Sequence, residues 1–221
     1  MSTIKFLSKV FLIAASLFVH GSIHAADTTQ LNSSQVLSLL IEGNNHFITG
    51  KMRHLAYFEE AKDKLLESQM PVAVIVGCSD SRVPPELIFD RGLGELFVIR
   101  VAGNVVGPIE MDSVEFAVAR LNVPLVVVLG HQNCGAVRAA LMGREHVPEL
   151  ETIYPLIDSA LKSCEHIGAN TVVDAINCNV KKGVETLQKS PTIAPLLAQK
   201  RVKVVGAYFD FETGKVNLIS N

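Results

Sequence analysis

Four short stretches of the chain are almost wholly apolar: "VAVIVG" at 72–77, "LFVIRV" at 96–101, "PLVVVLG" at 124–130 and "VKVVGAYF" at 202–209. Unbroken β-branched runs, as opposed to alternating ones, suit strands covered on both faces of a sheet. Between them, apolar residues recur at helical spacing and predict helices over 109–121, 134–142, 149–165 and 171–189. Two more helices precede the first strand. One covers Gln35–Phe47, with Val36, Leu39, Leu40 and Phe47 on a common face and Asn32, Ser33 or Ser34 available as its cap; the other runs over Leu55–Ser68. At the far end, "DFETGKVNLIS" predicts a turn at Thr213–Gly214 and a short strand returning antiparallel. The alternation gives an α/β fold: a mostly parallel central sheet of four parallel strands plus an antiparallel edge strand, flanked by helices, with an N-terminal helical arm.

The first 25 residues do not belong to that pattern. Lys5 and Lys9 precede a largely apolar run, Val10–Val19, which leads to small residues around Ala25. This is the layout of a secretory signal, and the run falls short of the roughly 20 apolar residues that a spanning helix needs. Cleavage after Ala25 or Ala26 leaves residues 26–221 as a single domain in the periplasm or secreted, with no membrane attachment. It also removes two lysines and no acid, so the formal charge moves from −2 to −4. With 48% hydrophobic residues and no repeat or low-complexity linker, one core is the expectation. Charges of both signs are scattered and no basic block occurs, so the footprint of a nucleic-acid binder is missing. Small molecules are the better partners.

Two of the apolar strands end alike. "VAVIVG" runs into Cys78, Asp80 and Arg82, and "PLVVVLG" runs into His131 and Cys134. In a parallel sheet, ligands bind beyond the carboxyl ends of the strands. Two thiolates and an imidazole suit Zn2+, and the H-x-x-C spacing brings two ligands together within one turn as a helix opens; Asp80 or water is left for a fourth position. Each residue alone has a duller reading: an inert buried cysteine, a hydrogen-bonded turn histidine, or a Cys78–Cys134 disulfide in an oxidising compartment. All three occurring at equivalent strand ends favours the metal.

These residues resemble the β-class carbonic anhydrases. The resemblance rests on "CSDSRVPPE" (78–86), "RVAGN" (100–104) and "HQNCGAV" (131–137), with "EGNNHF" (42–47) and "VVGAYFDFETGKV" (204–216), and extends over residues 35–217. It implies that Cys78, His131 and Cys134 hold one zinc per subunit and that Asp80 and Arg82 are the catalytic pair. The activity implied is reversible hydration of CO2 to bicarbonate by a zinc-held hydroxide. Because two thiolates cancel the charge of the ion, the metal alone should acidify water less than one held by three histidines does. Asp80 would orient the hydroxide while Arg82 fixes Asp80; in some relatives the aspartate instead closes onto the zinc as a fourth ligand. An inhibitory bicarbonate pocket built around tryptophan is not expected, since this chain has none.

The resemblance also implies substrate contacts from Gln69, Phe97, Phe116 and Gly135. Phe116 stands where plant-type relatives carry tyrosine. Gly135 and Gly103 are read as allowing close backbone approach or as turn residues. The architecture implied is a dimer or tetramer whose active site lies near the subunit interface, so Gln69, Phe97 or Phe116 could reach a neighbour's substrate. Cys164 and Cys178 could pair or stay reduced, and His46, His54, His146 and His166 are candidate proton shuttles. "LGELF" and "GAYFDFETG" read as structural. Two rivals remain: a non-catalytic structural or metal-storage zinc protein, which has no use for the Asp80/Arg82 pair, and a thiol-redox protein, which has no use for His131.

Overall fold

A computed structural model describes residues 31–53, 58–143, 147–164 and 171–219 of the chain. The signal segment expected over 1–25 lies outside them. The chain enters through helix α1 (Ser33–Thr49). Of the three candidate caps it uses Asn32, whose side chain accepts from the amides of Ser34 and Gln35, while Gln35 Oε1 accepts from Asn32 N at 2.9 Å. This reciprocal box satisfies amides that the first turn leaves unpaired. The helix stops at Gly50, which takes the left-handed conformation at φ 65°. Helix α2 (Phe58–Glu67) follows, with Leu66 exposed in its last turn and Met70 exposed just after it.

The core of the fold is a five-stranded sheet in the order β2-β1-β3-β4-β5, made of β1 (Ala73–Gly77), β2 (Leu96–Arg100), β3 (Leu125–His131), β4 (Lys203–Phe209) and β5 (Val216–Ile219). The first four are mutually parallel and β5 returns antiparallel along β4, as the terminal turn predicted. Every residue of β1 and β3 is buried. Their alternate side chains feed two apolar layers. Ala73, Ile75, Leu125, Val127 and Leu129 face one, and Val74, Val76, Val126 and Val128 face the other. Strand β2 departs from the expectation of cover on both faces: it is an edge strand, and Leu96–Ile99 are only half-buried because a neighbour lies on one side alone.

Helices α3 (Pro85–Ile88), α4 (Pro108–Arg120), α5 (Gly135–Met142), α6 (Tyr154–Lys162), α7 (Thr171–Gln188) and α8 (Ile193–Ala198) cover the sheet. Helix α6 begins later than residue 149 because Pro155, which lacks an amide hydrogen, fits only in a first turn. Short α3 and α8 were not foreseen; neither is long enough to show a periodicity. Helix α7 lies against the sheet where glycines leave room. A Cβ on Gly130 would stand 2.6 Å from Val180 Cγ2, so any larger residue in that strand would push the helix away.

Helix α1 is a cover rooted in the core through a buried amide. Asn44, 3% exposed, donates to the carbonyls of Ile88 (3.2 Å) and Gly214 (2.9 Å) and accepts from the amide of Val216 (2.9 Å). One side chain of "EGNNHF" thereby ties together α1, the end of α3 and the start of β5. Replacing it by alanine orphans three backbone groups. Asn44→Ala should destabilise the fold by roughly 1–3 kcal/mol, seen as a lower urea midpoint with an unchanged slope.

Candidate metal centre

Strands β1 and β3 pair in parallel with Gly77 opposite Leu129, so the two end almost in step. Cys78 directly follows β1, and His131 is the last residue of β3. Two residues on, Asn133 turns the chain with φ 54°, a conformation that asparagine tolerates better than most residues, and Cys134 becomes the N-cap of α5. The H-x-x-C pair is thus split between a strand end and a helix cap and does not share one helical turn.

The candidate ligand atoms of Cys78, His131 and Cys134 all lie within 4.8 Å of one another, and all three residues are buried. Both cysteines are free, with sulfurs 4.0 Å apart, so the disulfide considered between them does not form. His131 Nδ1 is 3.0 Å from the carbonyl oxygen of Gln132. A carbonyl only accepts, so the proton sits on Nδ1 and Nε2 carries a free lone pair. That Nε2 is buried with no hydrogen-bond partner. A buried acceptor left unpaired is destabilising unless something binds it. Zinc held tetrahedrally by two thiolates at about 2.3 Å would set their sulfurs about 3.8 Å apart, close to the spacing seen. The donor set therefore fits zinc.

The thiols are unequal. The Cys78 thiol is lowered, first by its hydrogen bond with Cys134, with the amides of Asp80 and Gly103 adding to the effect against burial. Cys134 is pushed up by the same contact and by burial, although the amides of Ala136 and Val137 at the start of α5 act the other way. Two thiolates this close repel, so both ionise only where a cation faces both sulfurs.

Beside this set stands a clamped carboxylate. Arg82 donates from Nε to Asp80 Oδ1 (2.9 Å) and from Nη2 to Oδ2 (2.7 Å), and its backbone amide adds a third bond to Oδ1 at 3.0 Å. The bidentate guanidinium, above all, holds the Asp80 carboxyl well below the usual carboxylate range. Oδ2 is 4.0 Å from His131 Nε2, at the margin of the ligand set. The carboxylate thus rests on the arginine.

Some of the parts that hold this arrangement were not read from the sequence. Arg100, at the end of β2, donates to the carbonyls of Cys78 and Asp80 and pins the backbone between them. Phe211, assigned above to a structural stretch, lies under the Arg82 guanidinium at 4.4 Å and edge-on to the His131 ring at 5.7 Å. Gln132 fixes that loop, accepting from the amide of Phe211 (2.9 Å) and donating to Glu212 (3.2 Å). All three lie in stretches quoted above, "RVAGN", "HQNCGAV" and "VVGAYFDFETGKV", but the contacts that they make are long-range and leave no local mark.

The expected substrate contacts lie elsewhere within one chain. Gln69 is exposed just before β1, while Cys78 follows its other end, a strand length of about 17 Å away. Phe97 packs on the sheet face of Val74 and Val76, opposite the face of Cys78 and Cys134, and its ring centroid is 6.3 Å from that of half-exposed Phe116. Gly135 borders the site but is exposed, with open space where a Cβ would be. His46 bonds through Nδ1 to buried Asp90 at 2.8 Å, whereas His54, His146 and His166 lie outside the described residues. Cys164 and Cys178 form a disulfide that joins the end of α6 to α7.

The family model described as carbonic anhydrase matches residues 73–216. A carbonic anhydrase of Mycolicibacterium smegmatis is 37% identical over 187 residues, covering 82% of this chain and 91% of that protein. Among solved structures, a Coccomyxa β-carbonic anhydrase in complex with acetazolamide superposes with a TM-score of 0.66 at 26% identity, over 83% of this chain and 86% of its own. A β-carbonic anhydrase of Sordaria macrospora, one of two described as tetrameric, gives 0.59 at 27% identity, over 84% of this chain and 98% of its own.

The Gln132–Phe211 bond makes a local prediction. In Gln132→Ala the Phe211 amide should exchange with solvent roughly fivefold faster, about 1 kcal/mol, while amides within β3 keep their protection. Hydrogen exchange followed by NMR measures both.

Proposed function

The chain belongs to the β-class carbonic anhydrases, and we propose that it hydrates CO2 reversibly to bicarbonate and a proton with one zinc held by Cys78, His131 and Cys134. The observation that carries this reading is a buried, converging soft ligand set with a clamped carboxylate at its margin. Bound zinc supplies the Lewis acidity that makes water a nucleophile near neutral pH. The remaining work falls to side chains. Asp80, ionised because Arg82 occupies both its oxygens, can only accept a hydrogen bond; Oδ2 accepts one from the O–H of the attacking oxygen, which keeps its proton and has its lone pair turned toward CO2. Arg82 keeps the carboxylate in that orientation, and Phe211 keeps Arg82 from straying into solvent. His131 is held in one tautomer by the Gln132 carbonyl, which leaves Nε2 for the metal. A storage site has no need of this clamp.

Assembly and export complete the proposal. Gln69, Phe97 and Phe116 are remote from their own chain's ligand set, while the β2 edge that bears Phe97 is half-exposed. A dimer or tetramer in which they serve a neighbour's site accounts for both features. The disulfide Cys164–Cys178 supports an oxidising compartment, and hence periplasmic or secreted protein after removal of 1–25. Among the described residues, no helix is long and apolar enough to cross a membrane.

Stopped-flow CO2 hydration tests the chemistry. Wild-type protein should carry one zinc per chain, lose activity to a chelator and regain it with zinc, while Asp80→Asn should lose about 100-fold or more in kcat with its zinc retained. Zinc-loaded protein inactive throughout about pH 6.5–9 would overturn the reading, since water on zinc can ionise near pH 7. Sedimentation and N-terminal sequencing of exported protein should give the mass of a dimer or tetramer and a first residue of Ala26 or Asp27. A monomer, or an intact Met1, contradicts the corresponding part.

A further inference from the structure

Behind the ligand set, the 3-10 turn Ala102–Asn104 presents its backbone to Cys78. Gly103 is left-handed at φ 72°, and a Cβ there would lie 3.2 Å from Ala136 Cβ and 3.3 Å from Ile157 Cδ1, so both conformation and space call for glycine. In this conformation its amide donates to Cys78 Sγ at 3.4 Å. Its carbonyl accepts from Asn179 Nδ2 at 2.7 Å, a buried bond across 76 residues of sequence. Asn179 is 4% exposed on α7, a helix anchored one residue earlier by the disulfide at Cys178. Asparagine is a poor helix former and costly to bury, so its presence there points to the bond that it makes.

We propose that Asn179 is a positioning residue for the metal centre, fixing the Gly103 peptide so that its amide stays on the sulfur of Cys78. The inference rests on Cys78 being a zinc ligand. Two thiolates neutralise the ion's charge, and the metal keeps more of its Lewis acidity when a thiolate's electron density is drawn off by a hydrogen-bond donor. Asn179 acts through a peptide, and α7 thereby couples the disulfide side of the molecule to the sulfur.

Cobalt-substituted protein gives a readout that loss of packing does not move: the near-ultraviolet sulfur-to-cobalt charge-transfer band. Asn179→Ala removes the donor, and Asn179→Leu keeps the side-chain size without any polar hydrogen to donate. Both should shift the band to longer wavelength, as expected of a more electron-rich thiolate, and weaken zinc binding about tenfold or more in chelator competition. Val184→Ala, which trims the same helix in the other apolar layer, should lower stability and leave the band in place. The inference is overturned if the band holds its wild-type position in both Asn179 variants, or moves as far in Val184→Ala. A wild-type protein with no charge-transfer band overturns the ligand reading itself, a result distinct from either.

Discussion

The parallel ladder between β1 and β3 is the constraint on which the site depends. Gly77 stands opposite Leu129, and this register delivers Cys78 and His131 to the same end of the sheet. Each of these strands is buried along its whole length, so a slip in register would move apolar side chains out of both layers at once. Burying one such side chain is worth about 1.5–3 kcal/mol. The summed burial therefore outweighs the repulsion and desolvation that two cysteines and a histidine bring when gathered in one place. The fold tolerates a locally unfavourable cluster because its core fixes where the strands end.

Around that cluster, neighbouring polar groups are held by specific hydrogen bonds. The Gln132 carbonyl accepts from His131 Nδ1 and leaves Nε2 free, Arg82 donates to both oxygens of Asp80, and Arg100 donates to the carbonyls of Cys78 and Asp80. His131 Nε2 remains unpaired, within 4.8 Å of the candidate ligand atoms of Cys78 and Cys134. Phe211 joins two of these units, since it touches both Arg82 and His131. A single ring thus connects the carboxylate clamp with the ligand set.

Legibility in the sequence followed the range of the interaction. The strands were plain because an apolar run is a local property, and their ends were plain because polar residues follow at once. The start of α6 was misplaced by several residues: apolar spacing alone does not place a boundary, and Pro155 decides it. Strand β2 looked as buried as the others, because apolar content reports what a strand can bury and not whether a neighbour arrives to bury it. "GAYFDFETG" passed as structural because nothing in the stretch shows that Phe211 lies against Arg82.

By itself, the sequence determined the class of fold, the Cys-His-Cys donor set and the carboxylate–guanidinium pair, because apolar runs are local and both polar groups are written within a few residues of a strand end. Only the tertiary structure decided that Asp80 rests on Arg82, that Cys164 pairs with Cys178, and that Asn179 reaches Gly103. The last two join residues well apart along the chain, and the first is a choice of conformation at one carboxylate. Chain distance carries no signal for either kind: such contacts exist only once helices have packed on a sheet whose glycines set how near they come.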